Sequence, residues 1–146
     1  MDLYKTLIKT KYKDQVIKIL EANSGDIDGS FLGFTDTYYY LSKLIPKDWV
    51  VVDLGCGYGF QSWFFRNHKK YIMINPVQRK EFEVFAPKEW CEFYNMTTEE
   101  FLKQWKGDFA DTKRKFGICN YVPPWHNQDS GKLVREYFDY CYVFYP

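Results

Sequence analysis

The stretch Val50-Val51-Val52-Asp53-Leu54-Gly55-Cys56-Gly57-Tyr58-Gly59 decides how this chain is read. The valine run predicts a buried strand, and Asp53 stands near its end. Glycine then occupies every second position of a tight turn, and the aromatic-rich segment beyond it is suited to start a helix. Glycines admit backbone angles that a Cβ forbids, and they let the main chain approach a ligand closely. An acid beside such a turn favours a ligand with hydroxyls or positive charge over a bare phosphate.

Two glycine patterns need separating. A dinucleotide fingerprint, G-x-G-x-x-G or A, requires a small third residue so that helix and strand pack closely. Counted from Gly55, that position is Phe60, and the pattern fails. What the chain carries is D-x-G-x-G-x-G, from Asp53 through Gly59. This resembles motif I of the class I methyltransferases, which use S-adenosylmethionine. The resemblance implies that the loop Gly55, Cys56, Gly57 and Gly59 passes under the methionine part of the cofactor. It also implies that Asp53 helps to hold the cofactor's amino end. The plainer alternative is a structural turn.

Outward from this stretch, 146 residues fit one domain. The expected division is an N-terminal helical cap over residues 1–46 and a Rossmann-like core over 47–146. An apolar share of 46% is enough for an ordinary core and argues against disorder. Thirteen Tyr, thirteen Phe and five Trp mean that bulky rings fill that core and that some reach the surface. A net charge of +1 supplies no global field to draw in nucleic acid, although a nucleic-acid substrate stays open. Cys56, Cys91, Cys119 and Cys141 lie far apart without a C-x-x-C pair, so no metal site is expected. No leader pattern and no apolar run near the ~20 residues of a membrane span is visible. The expectation is a reduced, cytoplasmic protein with no membrane partner.

Taken in order, residues 2–22 predict one amphipathic helix with Tyr4, Leu7, Ile8, Tyr12, Val16, Ile19 and Leu20 on its apolar side. Lys5, Lys9, Lys11, Lys13 and Lys18 form the other side, either a solvated face or a basic surface for an acidic partner. Residues 27–35 read as irregular. A helix follows over 36–44, capped by Thr35 or Asp36. Its Tyr38-Tyr39-Tyr40 run cannot all point inward, and the resemblance implies that one of these rings lies over the cofactor; a core or surface place is the alternative. Residues 61–67 predict a helix on the sheet, with His68 at its basic end. Strand two is 71–74 and ends at Asn75, where most members of the family carry an acid bonded to both ribose hydroxyls. Asn75 offers a neutral acceptor in its place. A helix is expected within 76–86, strand three over 89–94, and Asn95 and Met96 where the family places residues beside adenine. Thr97 and Glu100 fit a capping box for the next helix, with Phe101, Leu102 and Trp105 on its apolar side. Residues 106–115 read as a surface loop.

Strand four, 116–119, leads to Asn120-Tyr121-Val122-Pro123-Pro124-Trp125-His126. This resembles motif IV of the amino-group methyltransferases, an Asp or Asn followed by Pro-Pro and an aromatic. Pro123, Pro124 and Trp125 match, Val122 occupies the first position, and Asn120 lies two residues early. The resemblance implies a substrate site of Asn120, Pro124 and Trp125, with Asn120 also beside the cofactor. The alternatives are that Asn120 only caps the loop and that Trp125 belongs to the core. His126 is a proton acceptor or an exposed loop residue. A helix over 127–138 and strand five over 139–145 complete a doubly wound sheet in the order 3-2-1-4-5. The family's further two-stranded hairpin has no counterpart here, so strand five is expected as an aromatic edge. A second copy, a partner protein or the N-terminal helices would cover it.

Two functions stay open. One is an S-adenosylmethionine-dependent methyltransferase acting on an unidentified acceptor, an amine or a nucleobase nitrogen among the options. The other is a non-catalytic module of the same fold that binds a partner.

Overall fold

The computed structural model describes residues 2–31, 34–104, 114–120, 134 and 136–144. Five strands, all parallel, form one sheet in the order β3-β2-β1-β4-β5. They are β1 (Val50–Leu54), β2 (Lys70–Ile74), β3 (Cys91–Tyr94), β4 (Lys115–Asn120) and β5 (Tyr140–Phe144). The helices are α1 (Leu3–Leu7), α2 (Lys13–Ala22), α3 (Ile27–Phe31), α4 (Thr35–Leu44) and α5 (Thr98–Gln104), with a 3₁₀ helix over Phe60–Phe65. This is the Rossmann-like α/β architecture expected. β1 is central and buried along its whole length, which is why its sequence reads as a continuous valine run.

Strand alternation sorts the core onto the two sheet faces. Val50, Val52, Leu54, Ile72, Ile74 and Cys119 meet Phe101 and Leu102 of α5, with Tyr137 and Phe138. On the other face, Val51, Tyr71, Met73 and Ile118 meet Tyr38 and Leu41 of α4 and Phe65. A third cluster joins α1, α2 and α3 to Phe60 and Phe85. The capping box is present: Glu100 N–H donates to Thr97 Oγ1 at 3.1 Å and Thr97 N–H to Glu100 Oε2 at 3.4 Å. Among the described residues, no helix is long and apolar enough to cross a membrane.

Several expectations need correction, each for a local reason. The single helix over 2–22 is two helices. Thr10 makes the break: its hydroxyl donates to Leu7 O at 2.6 Å and accepts from Tyr12 N–H at 3.2 Å, so a side chain takes over backbone partners. The break sets the Tyr12 ring edge-on to Phe85 and Trp90. The apolar stripe survives it, with Leu7, Val16, Ile19 and Leu20 buried. Residues 27–31 form a helical turn, not a loop. Neither Thr35 nor Asp36 caps α4. Phe34 holds that position at φ 61° without a side-chain cap bond, and the Thr35 hydroxyl donates back to Phe31 O.

The segment over 60–65 is a 3₁₀ helix, with Phe60, Ser62 and Phe65 buried. His68, expected at the basic end of this helix, lies three residues beyond it and is buried. It is 8% exposed, Ile45 O lies 2.9 Å from its Nε2, and burial lowers its pKa. The helix expected within 76–86 is absent. This stretch spends its backbone groups on neighbours: Phe85 N–H donates to Tyr58 O at 2.7 Å, and Val77 N–H donates to Asn95 Oδ1 at 2.6 Å. Trp105, most of the loop expected over 106–115 and most of the helix expected over 127–138 lie outside the described residues; Lys115 already belongs to β4, and Val134, Glu136 and Tyr137 have helical backbone.

Candidate functional site

The site grows from the turn after β1. Gly55, Gly57 and Gly59 all take left-handed φ values of 82°, 59° and 82°, a region that side chains disfavour. Gly55 N–H and Cys56 N–H both donate to Ile74 O, at 2.8 and 3.0 Å, which seats the turn over the end of β2. At Gly59 a Cβ would lie 2.7 Å from Phe85 O. That glycine therefore admits the 76–90 segment. At Gly57 a Cβ would meet nothing within 4 Å.

Asp53 stands at the base of this turn with no solvent exposure. Its Oδ1 accepts from the Tyr38 hydroxyl at 2.9 Å. Its Oδ2 accepts from the Tyr71 hydroxyl at 2.5 Å and from Gln61 Nε2 at 2.9 Å. Burial pushes its pKa up to about 6, against the pull of the bonds from Tyr71, Gln61 and Tyr38. Cys56 is buried beside it, and burial together with the Asp53 charge raises its thiol well above the ordinary value.

A cleft of about 710 Å³ opens at this end of the sheet, a size suited to a cofactor or small ligand. Tyr58, from inside the glycine turn, and Phe82 stack at 4.9 Å with 18° between their planes and form one wall. Asn75 at the end of β2, Asn23 and Ser24 after α2, and Gln78, Arg79 and Glu81 line much of the remainder. The cleft thus offers a flat aromatic surface, neutral amides and a hydroxyl, with one guanidinium and one carboxylate.

The fold brings Asp53, Gly55, Cys56, Gly57, Gly59, Asn75 and Asn120 to the carboxyl end of the sheet. Leu54 pairs with Ile74 on one side and with Cys119 on the other, so Asn75 and Asn120 each follow the register of the turn's start. Of the expected cofactor residues, Asn75 lines the cleft, while Asp53, Cys56 and Gly59 are buried and do not line it. Met96 is half-buried against the cluster of Val50, Ile72 and Phe101. Tyr38, the buried member of the tyrosine run, reaches Asp53, while Tyr39 and Tyr40 are exposed. Val122, Pro123, Pro124, Trp125 and His126 lie outside the described residues. Sequence reading missed Tyr58, Phe82 and Arg79 in the cleft, and Gln61 and Tyr71 around Asp53. Tyr58 and Gln61 had a signal, their place within and just after the motif. Phe82 and Arg79 had none, because their segment has no periodic pattern.

A similar fold exists in a solved structure. The chain matches a protein from Anaeromyxobacter dehalogenans, provisionally named a type II methyltransferase, with a TM-score of 0.50. Identity is 12%, over 77% of this chain and 48% of that one. The fold is a methyltransferase fold. No family model matches the chain, and neither does any curated protein. The chain spans about half the length of that structural neighbour, so the likeness concerns the methyltransferase fold alone.

Proposed function

We propose that the chain is an S-adenosylmethionine-dependent methyltransferase, with the cofactor in the cleft beside the glycine turn. The observation that carries this reading is the join between motif and cleft: Tyr58 of D-x-G-x-G-x-G and Asn75 at the end of β2 line the same 710 Å³ space. Ligands of open α/β sheets bind beyond the carboxyl ends of the strands, where this cleft lies.

The residues fit the cofactor in size and donor set. The Asn75 carbonyl would accept from a ribose hydroxyl, and the Tyr58–Phe82 wall offers a face to a flat ring or a positive group. The bound cofactor supplies a methyl group activated on a sulfonium. The protein's part is alignment, close approach and exclusion of water. The acceptor, an amine or a nucleobase nitrogen among the candidates, would enter past Asn120, with Pro124 and Trp125 shaping its site and Met96 toward the adenine edge.

Calorimetry with S-adenosylmethionine and S-adenosylhomocysteine tests this. The native protein binds both, and Asn75→Ala weakens binding by roughly fivefold, the loss of one neutral hydrogen bond of about 1 kcal/mol. A folded native protein that binds neither at millimolar ligand ends the proposal.

A second reading, a partner-binding module, rests on β5, where Tyr140 and Tyr142 are 65% and 40% exposed. Among the described residues, the cluster formed by α1, α2 and α3 holds no β5 side chain, which favours a second copy or another protein over those helices as its cover. Light scattering showing a monomer, together with rapid amide exchange along β5, would remove that reading.

A further inference from the structure

The acid of a ligand-binding turn is expected to meet the ligand, and here it does not. Asp53 is fully buried, and its carboxylate accepts from donors on three different elements: Tyr38 on α4, Tyr71 on β2 and Gln61 on the 3₁₀ helix. The cleft is lined by Tyr58, Phe82 and Asn75, and Asp53 is not among its lining residues. One side chain connects the two. Gln61 Nε2 donates to Asp53 Oδ2 at 2.9 Å and to Cys56 O at 2.7 Å. Both partners are acceptors, so the amide has one orientation that works; reversed, its oxygen would face a carboxylate and a carbonyl. Cys56 immediately precedes left-handed Gly57, and Tyr58 follows it.

We propose that the acid of the glycine motif works inward: Asp53 and Gln61 are positioning residues that set the shape of the 55–59 turn, and the charge on Asp53 controls how well that turn receives its ligand. The ligand side of this statement rests on the reading of the cleft as the cofactor site.

The physical link is direct. A carboxylate draws the Gln61 amide strongly, since a bond to a charged acceptor is about twice as strong as a neutral one. The same amide nitrogen then holds the Cys56 carbonyl in place. Protonation of Asp53 weakens that pull and loosens the carbonyl. Nearby titratable groups are Tyr38, Tyr71, Cys56 in the turn, and Cys119 on β4. Burial raises Tyr71 and Cys56, and the hydrogen bond with Cys141 together with burial raises Cys119, so these stay neutral while Asp53 titrates. Cys91 of β3, next to Cys56, is pushed up to about 12 by burial.

The test pairs a readout without ligand and one with it. Amide shifts of Gly55, Gly57 and Gly59 are followed by NMR from pH 5 to 8 (about the window of the Asp53 titration). The variants are Gln61→Met, which keeps the volume and removes both bonds, and Tyr71→Phe, which leaves the Gln61 link intact. The native glycine shifts step near pH 6. Tyr71→Phe moves that step upward, because a bond favouring the charged form is gone. Gln61→Met moves the step upward for the same reason and, unlike Tyr71→Phe, also shrinks it, in a protein whose remaining spectrum shows the native fold. In calorimetry, native affinity for S-adenosylhomocysteine falls as pH drops through the same step, and Gln61→Met is about tenfold weaker at pH 7.5. A native turn with no step, a step unchanged in Gln61→Met, or native affinity in that variant overturns the proposal. Native glycine shifts that step as expected in a protein that binds neither cofactor form overturn the methyltransferase reading, while the positioning of the turn by Asp53 and Gln61 stands.

Discussion

At the scale of single residues, Asp53 is the position where chemistry and stability conflict. A carboxylate in the middle of a five-stranded sheet costs desolvation, and three donors offset only part of that cost. Its folded pKa, raised from 3.8 to about 6, means that the folded state holds the proton more tightly than the unfolded chain. The stability tied to this group is therefore greatest below about pH 4 and is lost as pH rises through about 6. Between pH 7.5 and 5 Asp53 alone adds about 1 kcal/mol on acidification. His68 acts the other way: its lowered pKa makes the unfolded chain bind the proton better, so its share of stability falls as pH drops below about 6.5. Urea unfolding of the native protein and of Asp53→Asn at both pH values cancels the histidine. The native-minus-variant difference grows by about 1 kcal/mol in favour of the native protein on acidification. A constant difference would mean that Asp53 does not titrate in this window.

At the scale of elements, the glycine turn and the 76–90 segment form one unit. Phe85 N–H donates to Tyr58 O, the Phe85 carbonyl occupies the space a Cβ would need at Gly59, and the Phe85 ring is fully buried beside Phe60. Glycine is needed at 59 for both φ and space, and at 57 for φ alone. Gly57→Ala should cost about 1–2 kcal/mol, the strain of a side chain in the left-handed region. Gly59→Ala should cost at least about 1 kcal/mol more, because the backbone carbonyl of Phe85 must also move. Denaturant midpoints of the two variants measure this, and equal values would show that the Phe85 contact yields freely. Lys11 and Lys18 of the basic helical face pair with Glu89 and Glu83 of the same segment, at 2.8 and 3.4 Å. Part of that face thus meets the chain itself.

At the scale of the whole molecule, binding should be legible as stability. A ligand that binds only the folded state at one hundred times its dissociation constant adds about 2.7 kcal/mol. For a chain of 146 residues that is a rise of roughly 5–10 °C in Tm. S-adenosylhomocysteine should produce it in the native protein, and a smaller rise at the same concentration in Asn75→Ala. Scanning fluorimetry checks both, and an unmoved native Tm at saturating ligand would count against the cleft as the cofactor site.

Sequence by itself determined the sheet. Runs such as Val50–Val52 and Tyr71–Ile74 are β-branched, aromatic and apolar, and bounded by turn residues they suit buried strands. The order 3-2-1-4-5 then follows from right-handed crossovers together with the family resemblance. It also determined the turn, because three alternating glycines have few other uses, and the Thr97–Glu100 cap, which is a local pattern. Tertiary structure alone decided where the groups of that turn point. Asp53 faces inward because Tyr38 and Tyr71, distant in sequence, converge on it with Gln61. Residues 76–86 stay non-helical because the glycine turn takes the Phe85 N–H that a helix would have used. The cleft takes its wall from Phe82 and its rim from Asn23 and Ser24, which no spacing connects to the motif. Periodicity records whether a residue is buried within its own element, and contacts between elements leave no such record in the chain.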